Sequence, residues 1–162
     1  MSITVSESAV DLDSMLTKLG YSGSQVDKIM QSDVLLLPDD VDSRESYFTD
    51  KSVEVKSEIQ KRLQIDILTR QGSKSHYQAQ RAADIVLPTL IFLGWQAFDV
   101  GKGLLASLIY DMCNQYRYRG HVPKTKLRCI IIDKKEQIRK EIVAEGPADD
   151  LAKILREFKL AK

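Results

Sequence analysis

The stretch IFLGWQAFDVGKGLLASLIYDMC, residues 91–113, limits the folds open to this chain more than any other segment. It is apolar enough to raise a membrane span and glycine-rich enough to raise a phosphate loop. Spanning a bilayer takes about 20 consecutive apolar residues. The longest charge-free run, Ile85 to Phe98, has 14. Extending it forward brings in Asp99 and Lys102, each costing about 2.5–3.5 kcal/mol at the bilayer centre. Their i, i+3 spacing lets them pair on a helix surface instead. The phosphate-loop reading fails on order. GWQAFDVGKG has its first glycine too early, and a glycine where the magnesium-binding hydroxyl of GxxxxGK[ST] belongs. The stretch therefore reads as a buried central helix. Gly94, Ala97 and Gly101 fall on one side of it, a smooth face where a second backbone approaches closely, in this chain or in another copy.

Around this helix the pattern reads as an α+β fold. Leu12, Met15, Leu16 and Leu19 recur at helical spacing before Gly20, and SGSQVDKIMQ restarts a helix behind a Ser24 cap. VLLLPDD is a short extended segment halted at Pro38. Residues 1–38 thus form a helical N-terminal extension, and the acidic, aperiodic residues 39–50 a loop or linker. Residues 51–162 form the α+β domain. Within it KSVEVKSEIQK is ambiguous between helix and strand, and RLQIDILTR alternates as a strand with one wet face. QGSKSHY is a turn, and a helical region runs from about Tyr77 to about Tyr118, with breaks at Pro88 or Gly101–Gly103. KLRCIIID is apolar on both faces, as an interior strand is, and DKKE turns the chain into QIRKEIVAE. After Gly146 and Pro147, the residues Leu151, Ile154, Leu155 and Phe158 mark a final amphipathic helix. The expected body is β-α-β-β-α with a small antiparallel hairpin sheet and a long central helix.

Charge is divided along the chain. Residues 1–50 hold ten acids and three bases, whereas residues 51–162 hold 13 acids and 21 bases. Such a split suggests an acidic arm beside a basic body. The bases concentrate in residues 114–140, where Arg117, Arg119, Lys124, Lys126, Lys134, Lys135 and Arg139 stand with Tyr116 and Tyr118 interleaved. Cations neutralise phosphates and aromatic rings stack on unpaired bases, which is the chemistry of a single-stranded nucleic-acid surface. The helix dipole explains Arg117 and Arg119 without any ligand. The acidic segment 39–50 is also able to cover the basic surface.

Signals of catalysis are few. His76 and His121 stand in polar, turn-like surroundings, and there is no HExxH, GxSxG, CxxC or HxH. Asp39 with Asp40 and Asp149 with Asp150 are sequence neighbours whose side chains diverge, and the second pair suits a helix start. Cys113 and Cys129 lie in apolar segments, as buried reduced thiols of a cytoplasmic protein do. No cofactor motif is present.

The succession LQIDILTRQG, GWQAFDVGKGLLASLIYDM and IVAEGPADDLAKILREF resembles the small effector-associated accessory modules of bacterial conflict systems, over about residues 62–160. The resemblance is one of pattern and order. It implies a non-catalytic adaptor or regulator that works with a separate effector. The leading expectation is accordingly a protein-interaction or accessory subunit, self-associating or part of a larger assembly. Nucleic-acid binding through residues 117–140 and peripheral membrane association through residues 85–113 are the alternatives.

Overall fold

The computed structural model describes residues 1–78, 84–117 and 120–159. It holds both helices and strands in an α+β arrangement. The elements run β1 (Ser2–Glu7), α1 (Leu12–Leu19), α2 (Ser24–Ile29), β2 (Val34–Leu36), β3 (Ser46–Thr49), α3 (Ser52–Ile59), β4 (Ile65–Ile67) and β5 (Ser75–Gln78). They continue with β6 (Ile85–Val86), β7 (Leu90–Leu93), α4 (Trp95–Tyr116), β8 (Lys124–Asp133), β9 (Ile138–Pro147) and α5 (Ala148–Glu157).

A seven-stranded mixed sheet organises the fold in the order β1-β9-β8-β7-β2-β4, with β6 also pairing β8. The hairpin β8–β9 supplies the longest ladder, from Lys124 opposite Pro147 to Asp133 opposite Ile138. β7 and β8 are parallel, joined by α4, as parallel neighbours require a crossover. β3 and β5 form a separate two-stranded parallel sheet.

Period-two alternation along the central strands feeds two cores. Ile91 and Ile130 face one side with Leu35 and Leu68, under Leu12, Leu16 and Leu19 of α1. Phe92 and Ile131 face the other, with Phe98, Leu105 and Ile109 of α4 and Leu151 and Leu155 of α5. An isolated eight-residue helix is unstable in water. α1 persists because it buries Leu12, Met15, Leu16 and Leu19, at about 1.5–3 kcal/mol for each large apolar side chain. Asp11 accepts a hydrogen bond from the Ser14 amide at its start, and Gly20, at φ 93°, closes its end.

Several sequence expectations are corrected. The helical region expected from about Tyr77 begins only at Trp95, since β5, β6 and β7 occupy 75–78, 85–86 and 90–93. A short apolar run buried on both faces has no period that separates strand from helix, and Leu90, Ile91 and Phe92 are each fully buried. Residues 79–83 of that expected helix lie outside the described residues. Residues 1–38 carry the α1–α2 pair but also β1 and β2, and β2 sits between β7 and β4. The segment is thus built into the main sheet, since Val34, Leu35 and Leu36 are apolar on both faces and fully buried. Residues 39–50 contain β3, anchored by the fully buried Phe48, and QGSKSHY contributes β5, its partner. The strand leading into the long helix is β7, not β4. Gly23, not Ser24, is the N-cap of α2, and no side chain caps it.

Candidate protein-interaction surface

The small-residue face of the long helix turns inward. Gly94 precedes the helix and, at φ 111°, makes the sharp turn from β7 into α4. Ala97 is buried. A Cβ at Gly101 would stand 2.2 Å from Cε1 of Phe92. Gly101 therefore packs on the ring of this chain's own β7, and that position is not open to a second copy. Asp99 and Lys102 pair at 3.6 Å.

Among the described residues the basic side chains do not form one patch. Arg117 stands at the end of α4, its guanidinium 3.7 Å from Cys113 Sγ, while Tyr118 and Arg119 lie outside the described residues. Lys124 and Lys134 occupy opposite ends of β8 and its turn, about 33 Å apart at the strand rise. Lys124 pairs with Glu145 at 2.5 Å. The hydrogen bond between them raises the lysine and lowers the glutamate from their ordinary values. Arg128 holds Glu141, and Lys140 holds Glu7. Lys126 lies opposite Glu145 in the ladder. Lys134, Lys135 and Arg139 are exposed around the β8–β9 turn.

The acidic segment is fastened elsewhere. Arg70 donates from Nε to Ser43 O at 2.6 Å, from one terminal nitrogen to Val41 O at 2.7 Å, and from the other to Lys18 O at 2.9 Å. Asp42 meets Lys18 at 3.5 Å. Asp39 shares the lining of a cavity of about 320 Å³ with Lys126 and Arg128.

Groups with chemical potential are mostly engaged in structure. His76 Nε2 meets the Glu45 carboxylate, and its ring stacks on Tyr47 at 5.0 Å. Both cysteines are buried and free, and burial pushes the Cys129 thiol up to about 12. A cavity of about 500 Å³ opens between the C-terminal ends of β7 and β8, lined by Asp33, Gly94, Trp95, Asp133, Lys134 and Lys135. Asp133 already complements the helix start there, accepting the Trp95 amide at 3.3 Å and the Lys135 amide at 3.1 Å. Among the described residues no group of three or more His, Cys, Asp or Glu is placed to hold a metal ion. No helix among them is long and apolar enough to cross a membrane.

One internal cation has no local sequence signal. Lys51 is 7% exposed, bonds the Tyr116 hydroxyl, and lies 4.0 Å from the centre of that ring. Burial lowers its pKa, but the Tyr116 hydrogen bond and the charges of Asp50 and Glu54 leave it raised overall. It ties the start of α3 to the end of α4 across 65 positions.

One margin of the main sheet is formed by β1. Among the described residues β1 is a terminal strand paired on one side only, from Ser2 opposite Glu145 to Glu7 opposite Lys140 with no bulge. Five of its six residues are exposed. Ser8 donates to Arg139 O at 3.1 Å, and the antiparallel alternation then sends the N–H and C=O of Ile3, Val5 and Glu7 outward. Ser2, Thr4 and Ser6 share a sheet face with Glu141, Val143 and Glu145 and with Lys126 and Arg128. α1 and α2 cover the end of that face at Ile130 and Ile132 and leave Val143 45% exposed. On the opposite face Val5 is 44% exposed. The period-two sequence Ser-Ile-Thr-Val-Ser-Glu was the signal that could have found this strand.

Set against family models, characterised proteins and solved structures, the chain matches none of them.

Proposed function

We propose that this chain is a protein-interaction subunit, accessory or regulatory within a larger assembly, and that it works through the outer edge of β1. The observation that supports this reading is the edge itself. A terminal strand with open N–H and C=O groups is a template for another strand, and soluble proteins usually blunt it with lysine, proline, a bulge or a covering loop. β1 has no lysine, no proline and no bulge. Beside it the open face mixes Val143 with ion pairs and hydroxyls, a composition suited to a partner protein. The narrower assignment, to a defence-type assembly with a separate effector, rests on the resemblance carried by residues 62–160.

Nucleic-acid binding through residues 117–140 has less support. Lys124 and Arg128 each hold a carboxylate, and Lys134 and Lys135 stand a strand length away from Lys124. Phosphate binding would weaken linearly on a logarithmic salt scale.

Gentle purification of the tagged full chain from its own cells, followed by native mass, tests the reading. A defined complex that a proline at the outer edge of β1 releases supports it. A lone monomer, or a complex indifferent to that substitution, refutes the edge as the working surface. Co-purified nucleic acid lost at high salt would favour the basic hairpin instead.

A further inference from the structure

We infer that the occupant of the β1 edge is a second copy of β1, paired antiparallel about a two-fold axis through Thr4. This rests on β1 being an interaction edge and names its partner. Residues that pair through outward N–H and C=O groups must be Ile3, Val5 and Glu7 on both strands. That condition limits the antiparallel registers to a few. One sets Ile3 opposite Ile3 and leaves much of the strand unpaired. Another sets Val5 opposite Val5 and drives Ile3 against the charged Glu7. The register centred on Thr4 sets Ile3 opposite Val5 twice, Thr4 opposite Thr4, and Ser2 opposite Ser6, so that Ser2 to Ser6 of both copies pair and no charged residue faces an apolar one within β1.

The chemistry of those pairs is self-complementary. Ile3 and Val5 are β-branched and lie on one face with Ile142 and Ala144, so each would pack on its counterpart as cross-strand pairs do. Ile3 already packs on the core while Val5 is 44% exposed. In this register the partly buried Ile3 of one copy covers the exposed Val5 of the other. Thr–Thr and Ser–Ser pairs supply hydroxyl partners on the opposite face. The single charge of the strand, Glu7, is engaged by Lys140 of its own copy and meets no like charge. An isologous interface requires this reciprocity, and the two sheets would join into one continuous sheet.

The test uses three substitutions in the full chain. Thr4→Cys places two thiols across a non-hydrogen-bonded antiparallel pair, where Cα atoms stand about 4.5 Å apart, inside the disulfide range of roughly 4.4–6.8 Å. Ser6→Cys offers an equally exposed thiol that meets Ser2 of the other copy, not itself. Both native cysteines are buried and do not compete. Val5→Pro removes an outward N–H without touching the β9 ladder, a position where an edge strand tolerates proline. Val5→Lys serves where the proline impairs folding.

Under mild oxidation the Thr4→Cys chain is expected to become a disulfide dimer while Ser6→Cys stays largely monomeric. In sedimentation the parent chain is expected to self-associate, and either Val5 variant to sediment as a folded monomer. Equal cross-linking at both cysteines, or association unchanged in the Val5 variants, overturns the inference. A monomeric parent chain that still captures a different protein through β1 overturns self-pairing but leaves the interaction edge intact. A monomer that captures nothing overturns both.

Discussion

Gly101 of α4 sits directly against the Phe92 ring of β7, so that a methyl group at residue 101 would stand 2.2 Å from Cε1 of that ring. Phe92 in turn packs edge-on against Phe98 at 5.5 Å. The glycine sets the separation of helix and sheet, and the aromatic pair fills the space that separation leaves.

Gly101→Ala should therefore destabilise the protein although alanine is the better helix former. Overpacking costs about 1–3 kcal/mol, against a helix-propensity gain of about 1 kcal/mol. Gly103, two residues on, has nothing within 4 Å of its notional Cβ. Gly103→Ala should stabilise by about 0.4–1 kcal/mol. Paired thermal melts check both, and the expected result is midpoints shifted in opposite directions. Two shifts of the same sign would show that α4 does not approach β7 as described.

Arg70 gathers three backbone carbonyls, those of Lys18, Val41 and Ser43. Hydrogen bonds to a charged group contribute about 1.5–3 kcal/mol, so Arg70→Ala should cost on the order of 2–3 kcal/mol, and Arg70→Lys most of that, because an ammonium lacks the planar fork. The local readout is limited proteolysis, with cleavage within residues 39–46 accelerated. An unchanged cleavage pattern would contradict the anchoring role.

Cys113 and Cys129 should be silent toward a disulfide thiol reagent in the native protein. The thiolate is the reactive species, both sulfurs are buried, and burial pushes the Cys129 thiol up to about 12. Full reaction of both is expected only after denaturation. Rapid labelling at neutral pH would place these side chains outside the core.

Glu145 is held below its ordinary value by the Lys124 hydrogen bond. A carboxylate with a lowered folded-state pKa contributes stability above its unfolded value, and that contribution is lost as pH falls through the folded value. The pair is exposed, so the effect is small and screened by salt. Glu145→Gln should flatten the acid limb of a stability–pH profile slightly, and added salt should erase the difference. A change as large in acid as at neutral pH would contradict the pairing.

What the residues alone disclosed follows from where the decisive contacts lie. Leu12, Met15, Leu16 and Leu19 declare α1 because their period is local, and KLRCIIID declares an interior strand through its two-faced burial, with Ile130 and Ile131 fully enclosed. Leu90–Leu93 misled, since four apolar residues next to a long helix carry no period of their own. The inward turn of Gly101 depends on Phe92, a neighbour through packing only, and Arg70 reaches carbonyls from 27 to 52 positions away. The basic run looked continuous because a strand and its return are contiguous in sequence while their ends are far apart in space. β1 alternates in sequence, yet its exposure at a sheet margin depends on β9, more than 130 residues away.

Residue-resolved amide hydrogen exchange across β1 tests the interaction edge most directly. Thr4 and Ser6, bonded to β9, should be protected at every concentration, whereas Ile3 and Val5 should exchange rapidly in dilute protein and become protected as the assembly forms. An assembly that forms while Ile3 and Val5 continue to exchange rapidly would contradict the interaction edge.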